Sequence, residues 1–414
     1  MSAAIAKLIF LIITLPFIFS GCSSSNSNIK TFAENSSDLQ RMLDNKWNEY
    51  TTGKTNIKGG IALYIISPKG NFFQTSGMGK GILENIHFRA ASNTKTFTAA
   101  AILLLQQQNK LNIDHKITDL IPNTSTPYVP TSPNYKIPYK SQITIRQLLE
   151  HRAGVFDINN NDIPLTSNAS YAGKRYPNYI IDKLGLTDHT FTFDELVGVV
   201  ALNNLSFFPP DKKFHYSDTG YSILGKIVER VSGQSYNQFI TDSFLIPNKL
   251  KNTSFPYLGS DQSLPMPASE AYIYDDDTIH TVDKLNVSVN VAEGNLITTP
   301  NNLATWGALL LSGNAGLNQD QVDLMTQYKA TGDNHKYYGL GCIYTPGLGY
   351  GHNGGIEGTL TVLRYNPDDK VTVLIFSSVF NNNDFWGQGK FLYKVGFAAR
   401  DVLGYTNVHS PQVR

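Results

Sequence analysis

The chain has 414 residues and a formal charge of +1, with 41% apolar and 16% charged residues. That balance supplies a sizeable core, and with no basic block along the chain it argues against nucleic acid or an acidic polymer as partner. Two cysteines, Cys22 and Cys342, are too few for a disulfide framework or a zinc site, and no cofactor or metal motif occurs.

Residues 1–21 read as a secretory signal peptide. Lys7 precedes the apolar run LIFLIITLPFIFS, which is too short and too one-sided in its flanks for a membrane span. The run ends in Phe19-Ser20-Gly21-Cys22, which resembles a bacterial lipoprotein signal with Phe19 where Leu is usual. The resemblance implies a lipid on Cys22 and an exported protein anchored at a bacterial membrane, facing the periplasm or cell exterior. An ordinary signal peptide with an incidental cysteine is the alternative. SSSNSN then makes a polar tether, so that residues 22–50 read as tether and first helix, 51–405 as the main domain and 406–414 as a tail. Cys342 reads as a buried core thiol.

In chain order, 60–67 (GIALYIIS) and 71–77 (NFFQTSG) flank Pro68-Lys69-Gly70 as a β-hairpin. The helix after Ser92 runs through AAAILLLQQQ, is apolar nearly all round, and is therefore expected to be covered on several sides. From about 110 to 290 the chain reads as helical and loop-rich. Thr144 and Gln147 form a capping box before RQLLEH, and 155–190 reads as surface loops. TGYSILGKIVERVSG carries Tyr221, Leu224, Ile227, Val228 and Val231 on one face and ends at Gly233, an amphipathic helix. Ser235 and Gln238 open another helix by the same capping logic. After 335, GLGCIY, GYGHNGG, TLTVLRY and VTVLIFSS read as strands, followed by a final helix over roughly 388–404. The expected fold is α/β of the α+β type. One antiparallel sheet is built from both ends of the mature chain and flanked by helices, with a mostly helical region inserted.

Ser92 stands three residues before Lys95, one helical turn away on the same side, so the amine can reach the hydroxyl. A serine hydroxyl needs a base or a field to become a nucleophile, and a partly desolvated lysine supplies either. A helix N-terminus adds N–H groups that favour an oxyanion. Ser-x-x-Lys alone is weak, since Ser92 could be a plain N-cap. Its surroundings, Phe88-Arg89-Ala90-Ala91-Ser92-Asn93-Thr94-Lys95, resemble the nucleophile segment of the penicillin-recognising serine hydrolases: class C β-lactamases, D-alanyl-D-alanine carboxypeptidases and related esterases. Phe214-His215-Tyr216-Ser217-Asp218 resembles their Tyr-Ser-Asn segment, and Gly351-His352-Asn353-Gly354-Gly355 their Lys-Thr-Gly or His-x-Gly strand. Similar flanks occur at 143–154 and 294–313, so the likeness covers about residues 55–405 and implies a β-lactamase/transpeptidase-like fold.

The resemblance implies that Ser92 forms an acyl-enzyme, that Lys95 eases its deprotonation, and that Tyr216 shuttles the proton. A nearby ammonium would push that phenol toward phenolate. The N–H groups of Ser92 and Gly355 would make the oxyanion hole. His352 would help bind or polarise substrate, and Gly354 would let substrate lie against the strand edge. Taken singly, Tyr216 is equally a core aromatic, His352 a satisfied strand histidine and Asp218 a turn residue before a helix. Two departures bear on substrate. Asp218 stands for Asn, so that it only accepts hydrogen bonds and would pair with Lys95, weakening it as a free base. Asn353 stands for Thr or Ser, which normally helps grip a substrate carboxylate, and His352 for Lys is only partly charged near neutrality. The expected substrate is a small molecule or peptide with a D-alanyl, ester or lactam group. Carboxypeptidase-like or esterase-like chemistry ranks above β-lactamase activity, and a non-turnover penicillin- or cell-wall-binding module is the reading from another class.

Overall fold

The computed structural model describes residues 30–332 and 337–405; the expected signal peptide, Cys22, the tether up to residue 29 and the tail from 406 lie outside the described residues. Helix α1 (Phe32–Thr51) buries Leu39, Leu43 and Trp47, four residues apart, along one face. Strands β1 (Ile61–Ser67) and β2 (Gly70–Ser76) form the expected hairpin, in register from Ile61–Ser76 to Ser67–Gly70. A short strand β3 (Phe88–Ala91) leads into α2 (Thr94–Gln107), where eleven residues from Thr94 to Leu105 are buried.

The inserted region holds α3 (Ile145–Leu149), α4 (Tyr176–Asn178), α5 (Phe193–Leu202), α6 (Asp218–Ser232) and α7 (Tyr236–Ile240). The capping box on α3 is formed, with Thr144 accepting from the Gln147 N–H and the Gln147 side chain accepting from the Thr144 N–H. α6 starts two residues before Gly220, with Ser217 as the cap that accepts its N–H, and ends on Gly233 at φ +74°. At α7 the expected cap is absent: Ser235 holds the N-cap position but makes no side-chain bond there. The region also contains a hairpin, β4 (Tyr272–Asp275) and β5 (Thr278–Thr281), that the helical reading missed. Then come β6 (Leu296–Thr298), α8 (Pro300–Leu311) and α9 (Gln319–Thr326).

The closing part supplies β7 (Lys329–Ala330), β8 (Tyr337–Tyr338), β9 (Ile343–Thr345), β10 (Gly349–Ile356), β11 (Thr359–Asn366), β12 (Val371–Ser377) and β13 (Val379–Asn381), then α10 (Phe385–Val402). The main sheet is eight-stranded in the order β2-β1-β12-β11-β10-β9-β8-β7, with antiparallel pairing throughout. β1 from the N-terminal part and β12 from the C-terminal part pair as the second and third strands of that order, so both ends of the chain build the sheet.

Side-chain alternation divides the two faces. Ile61, Leu63 and Ile65 of β1, with Val373 and Ile375 of β12, pack beneath α1 and α10. Ala62 and Tyr64, with Leu374 and Phe376, face α2 and α8. α2 is therefore enclosed between the sheet and the inserted helices, which explains its apolar circumference. Trp306 of α8 stacks on Phe97 of α2 at 3.7 Å and donates its indole N–H to Thr96. Helix α1, the expected first helix, lies in the compact unit that begins at Phe32.

Candidate active site

The turn before α2 is built tightly. Ala91 adopts φ +46°, a left-handed conformation costing about 1 kcal/mol or more for a residue with a Cβ. Asn93 N–H and its side-chain amide both donate to Ala90 O, and Thr94 Oγ1 donates to Ala91 O. β3 pairs with β6 through a bulge between Arg89 and Ala91. These contacts fix Ser92 at the mouth of the helix, half-buried, while its neighbours on either side are buried.

Lys95 is fully buried, and its three donors go to Ser92 Oγ at 3.2 Å, Asp218 Oδ1 at 2.6 Å and Glu293 O at 2.8 Å. A buried ammonium is tolerated because every hydrogen has an acceptor and one acceptor is charged. Its nitrogen also lies 4.6 Å from the centre of the Tyr216 ring. Ser92 and Tyr216 are hydrogen-bonded through their hydroxyls. The three residues separated in sequence are thus brought to one point.

The electrostatics revise one expectation. Tyr216 does not drift toward phenolate. Burial and the negative charge of Asp218 push its hydroxyl well above the ordinary phenol range, against the smaller pull of the Ser92 hydrogen bond. Behind Lys95 three carboxyl groups converge. Glu293 is held well above the usual carboxylate range by burial and by Asp218, opposed by Lys95, and its oxygens accept from Asn159 and Ser222. Burial and Asp218 likewise push Asp157 up to about 7. Asn160 donates to Asp157 and to Asp218, each at 2.8 Å. Asp218 therefore spends one oxygen on Lys95 and the other on Asn160, and contacts substrate less directly than a free side chain at that position would.

Strand β10 separates residues that the motif reading grouped together. His352 pairs with Leu363 and faces the α2 side, whereas Asn353 pairs with Val362 and faces the α10 side. The Asn353 side-chain carbonyl accepts from Arg364 and from the Tyr393 hydroxyl, both at 2.9 Å, which ties this side chain to β11 and α10. Gly354 is buried rather than open to a substrate. A Cβ on it would lie 2.2 Å from Ala90 O, so its missing side chain lets β10 close against the Ala90–Asn93 turn. Gly355 is exposed beside that contact.

His352 is buried, and both ring nitrogens are engaged. Nδ1 donates to Asn353 O at 2.6 Å, and Nε2 is hydrogen-bonded to the Tyr338 hydroxyl at 2.9 Å. Tyr338 in turn accepts from His151 Nε2 at 3.2 Å, because His151 Nδ1 is committed to accepting the Ser217 N–H at 3.0 Å. A backbone N–H only donates, so His151 is neutral. His151 sits at φ +56° after α3, a position suited to glycine, and stacks 4.2 Å from Tyr216. His151, Tyr338, Asp157, Asn159, Asn160 and Glu293 were not found from sequence. The only local signal was a histidine where a helix-ending glycine is usual. Cys342 is buried, its thiol pushed up to about 12 by burial, as a core cysteine would be.

A family model described as Beta-lactamase matches residues 59–394. The chain belongs to the Beta-lactamase family. It is 30% identical over 229 residues to Protein flp of Staphylococcus aureus strain MW2, covering 53% of this chain and 39% of that protein. It is 29% identical over 170 residues to Penicillin-binding protein 4* of Bacillus subtilis strain 168, covering 41% of this chain and 30% of that one. The matches thus span well under half the length of these curated relatives. Among solved structures, a D-stereospecific amidohydrolase from Streptomyces sp. superposes with a TM-score of 0.70 at 22% identity, covering 87% of this chain and 98% of that one. A D-amino acid amidase from Ochrobactrum anthropi SV3, complexed with L-phenylalanine amide, gives 0.69 at 20% identity, with 89% and 99% covered. At such identities these likenesses speak for the β-lactamase/transpeptidase-like fold.

Proposed function

We propose that this Beta-lactamase family member is an exported hydrolase that works through an acyl-enzyme on Ser92, with D-alanyl-D-alanine carboxypeptidase-like, amidase-like or esterase-like activity. The observation that carries this is the meeting of Lys95 Nζ, 3.2 Å from Ser92 Oγ, with the Tyr216 hydroxyl on the same oxygen. Ser92 Oγ attacks the carbonyl carbon and the bond to the leaving group breaks. Because the phenol is neutral, Tyr216 takes the serine proton as it gives its own to the leaving group, and no free phenolate is needed. The Lys95 ammonium, donating to Oγ, stabilises negative charge as it develops there. The N–H groups of Ser92 and Gly355 are assigned to the carbonyl oxygen. Water then adds to the acyl carbon by the reverse relay and releases the acid.

The structural neighbours, a D-stereospecific amidohydrolase and a D-amino acid amidase, support an amide or D-configured acyl donor alongside D-alanyl peptides and esters. Turnover of a D-Ala-D-Ala peptide, a short-chain aryl ester and a chromogenic cephalosporin, with Ser92→Ala as blank, tests the proposal. Peptide or ester turnover above that of the cephalosporin is expected. A fluorescent penicillin that labels Ser92 and stays bound, with no ester turnover, would favour a binding module instead. Export and lipid attachment at Cys22 rest on the apolar run before it, and labelling with a radioactive fatty acid, abolished by Cys22→Ala, is the corresponding test.

A further inference from the structure

Asn160 lies in the loop after Asp157 and is exposed, while the groups it bonds are buried. Its amide nitrogen gives one hydrogen to Asp157 Oδ2 and the other to Asp218 Oδ2. An amide has two such hydrogens, so its donor capacity is spent inside the protein. The reverse orientation would turn the amide oxygen toward two carboxyl groups. The end left facing outward is the carbonyl oxygen, a hydrogen-bond acceptor. Three successive contacts connect it to the nucleophile: Asn160 to Asp218, Asp218 to Lys95, and Lys95 to Ser92. Beneath it Asp218 is paired with Lys95, and burial holds the neighbouring carboxyls of Asp157 and Glu293 above the usual carboxylate range.

We infer that Asn160, clamped between Asp157 and Asp218, presents beside the Asp218–Lys95–Ser92 chain of contacts an acceptor that selects substrates with a free α-ammonium beside the scissile carbonyl over those whose amine is acylated. The inference rests on the hydrolase function proposed above. An amide at position 218 would have offered a donor. Here the chain carries a carboxylate at that place and turns the donors of Asn160 inward to hold it. A substrate ammonium brings three donors and a positive charge to such an acceptor. An N-acyl group brings one N–H and a carbonyl that must lie beside an acceptor and a carboxylate, which repel it.

The test compares kcat/KM of the full chain for an aryl ester of D-alanine and for its N-acetyl counterpart, with fluorophosphonate labelling of Ser92 as a separate readout. The wild type is expected to favour the free amine by about tenfold or more, equivalent to about 1.4 kcal/mol. Asn160→Ala is expected to lower turnover of both esters but of the free amine more, reducing that ratio at least about fivefold, with Ser92 still labelled. A purely structural role would lower both substrates by the same factor, and that result overturns the inference. Labelled Ser92 with no preference for the free amine overturns it alone. Absence of both labelling and turnover overturns the hydrolase function and this inference with it.

Discussion

Asp218 holds Lys95 by a 2.6 Å ion pair from which water is largely excluded, the lysine side chain being 0% and the aspartate 13% exposed. Each charge offsets the desolvation of the other, so removing one strands its partner. Lys95→Met is expected to destabilise the protein by about 3–5 kcal/mol, because Asp218 remains buried without its cation. The double variant Lys95→Met/Asp218→Asn removes both charges and is expected to regain at least half of that loss. Both variants are expected to be inactive. Urea unfolding at neutral pH measures the difference, and equal losses in single and double variants would show the two residues to be uncoupled.

Asp157 gives the protein a stability that declines toward neutrality. Its ordinary carboxyl value is 3.8, and in the fold burial and Asp218 raise it to about 7. Between these values the native state keeps a proton that the unfolded chain has lost. The contribution is complete below about pH 4, and is lost as pH rises to about 7, on the order of 4 kcal/mol in all. Asp157→Asn removes the titrating group and keeps a polar side chain of the same size. The wild type minus variant stability, from denaturant titrations at pH 4.5, 6 and 8, is expected to fall across that range. A flat difference would place the Asp157 carboxyl in the ordinary range.

The parts legible in the sequence are those carried by short periodic or spaced patterns. The β1–β2 hairpin, the apolar α2, the Thr144 capping box and the strands after 335 follow from local alternation and turn residues. Ser92 and Lys95 are one helical turn apart, so their meeting follows from spacing. Position along β10 was also readable: adjacent strand residues face opposite ways, which separates Asn353 from His352 without any structure. The amphipathic spacing of Leu39, Leu43 and Trp47 could likewise have assigned α1 to the core. By contrast, Asp157, Asn160, Glu293 and Tyr338 come from loops and a two-residue strand with no period to follow. The neutral phenol of Tyr216 depends on enclosure and on a carboxylate beside it, which only the assembled fold supplies.

Tyr338 joins two buried histidines through one hydroxyl. Tyr338→Phe would leave the His151 Nε2–H and the His352 Nε2 without that partner, at a cost of about 1–3 kcal/mol. Both rings border Tyr216, with centroids 4.2 and 6.2 Å from its own. Loosening them displaces the phenol from Ser92, and small displacements of that kind lower turnover by about 10²-fold. The expected outcome is a lower unfolding temperature together with reduced kcat and little change in KM. A loss of stability at unchanged kcat would make Tyr338 a packing residue only.

Gly354 and Gly355 are neighbours in one strand, yet a methyl group should act on them in opposite ways. At Gly354 the new Cβ would meet Ala90 O at 2.2 Å and the Asn93 amide at 2.9 Å, in the turn that carries Ser92. The backbone cannot yield there without moving β10 away from β3, and overpacking of this kind costs about 1–3 kcal/mol. At Gly355 the nearest atom is on the Phe385 ring, 3.2 Å away, and a side chain can shift by a few tenths of an ångström. Gly354→Ala is therefore expected to slow acylation of Ser92 by about 10²-fold, since the two backbone N–H groups assigned to the oxyanion move apart. Gly355→Ala is expected to stay within about tenfold of wild type, because its N–H is kept in place. The burst of product from an activated aryl ester reads the acylation rate of each variant directly. Equal rates in the two variants would mean that the approach of β10 to the Ala90–Asn93 turn does not set the geometry of the oxyanion site.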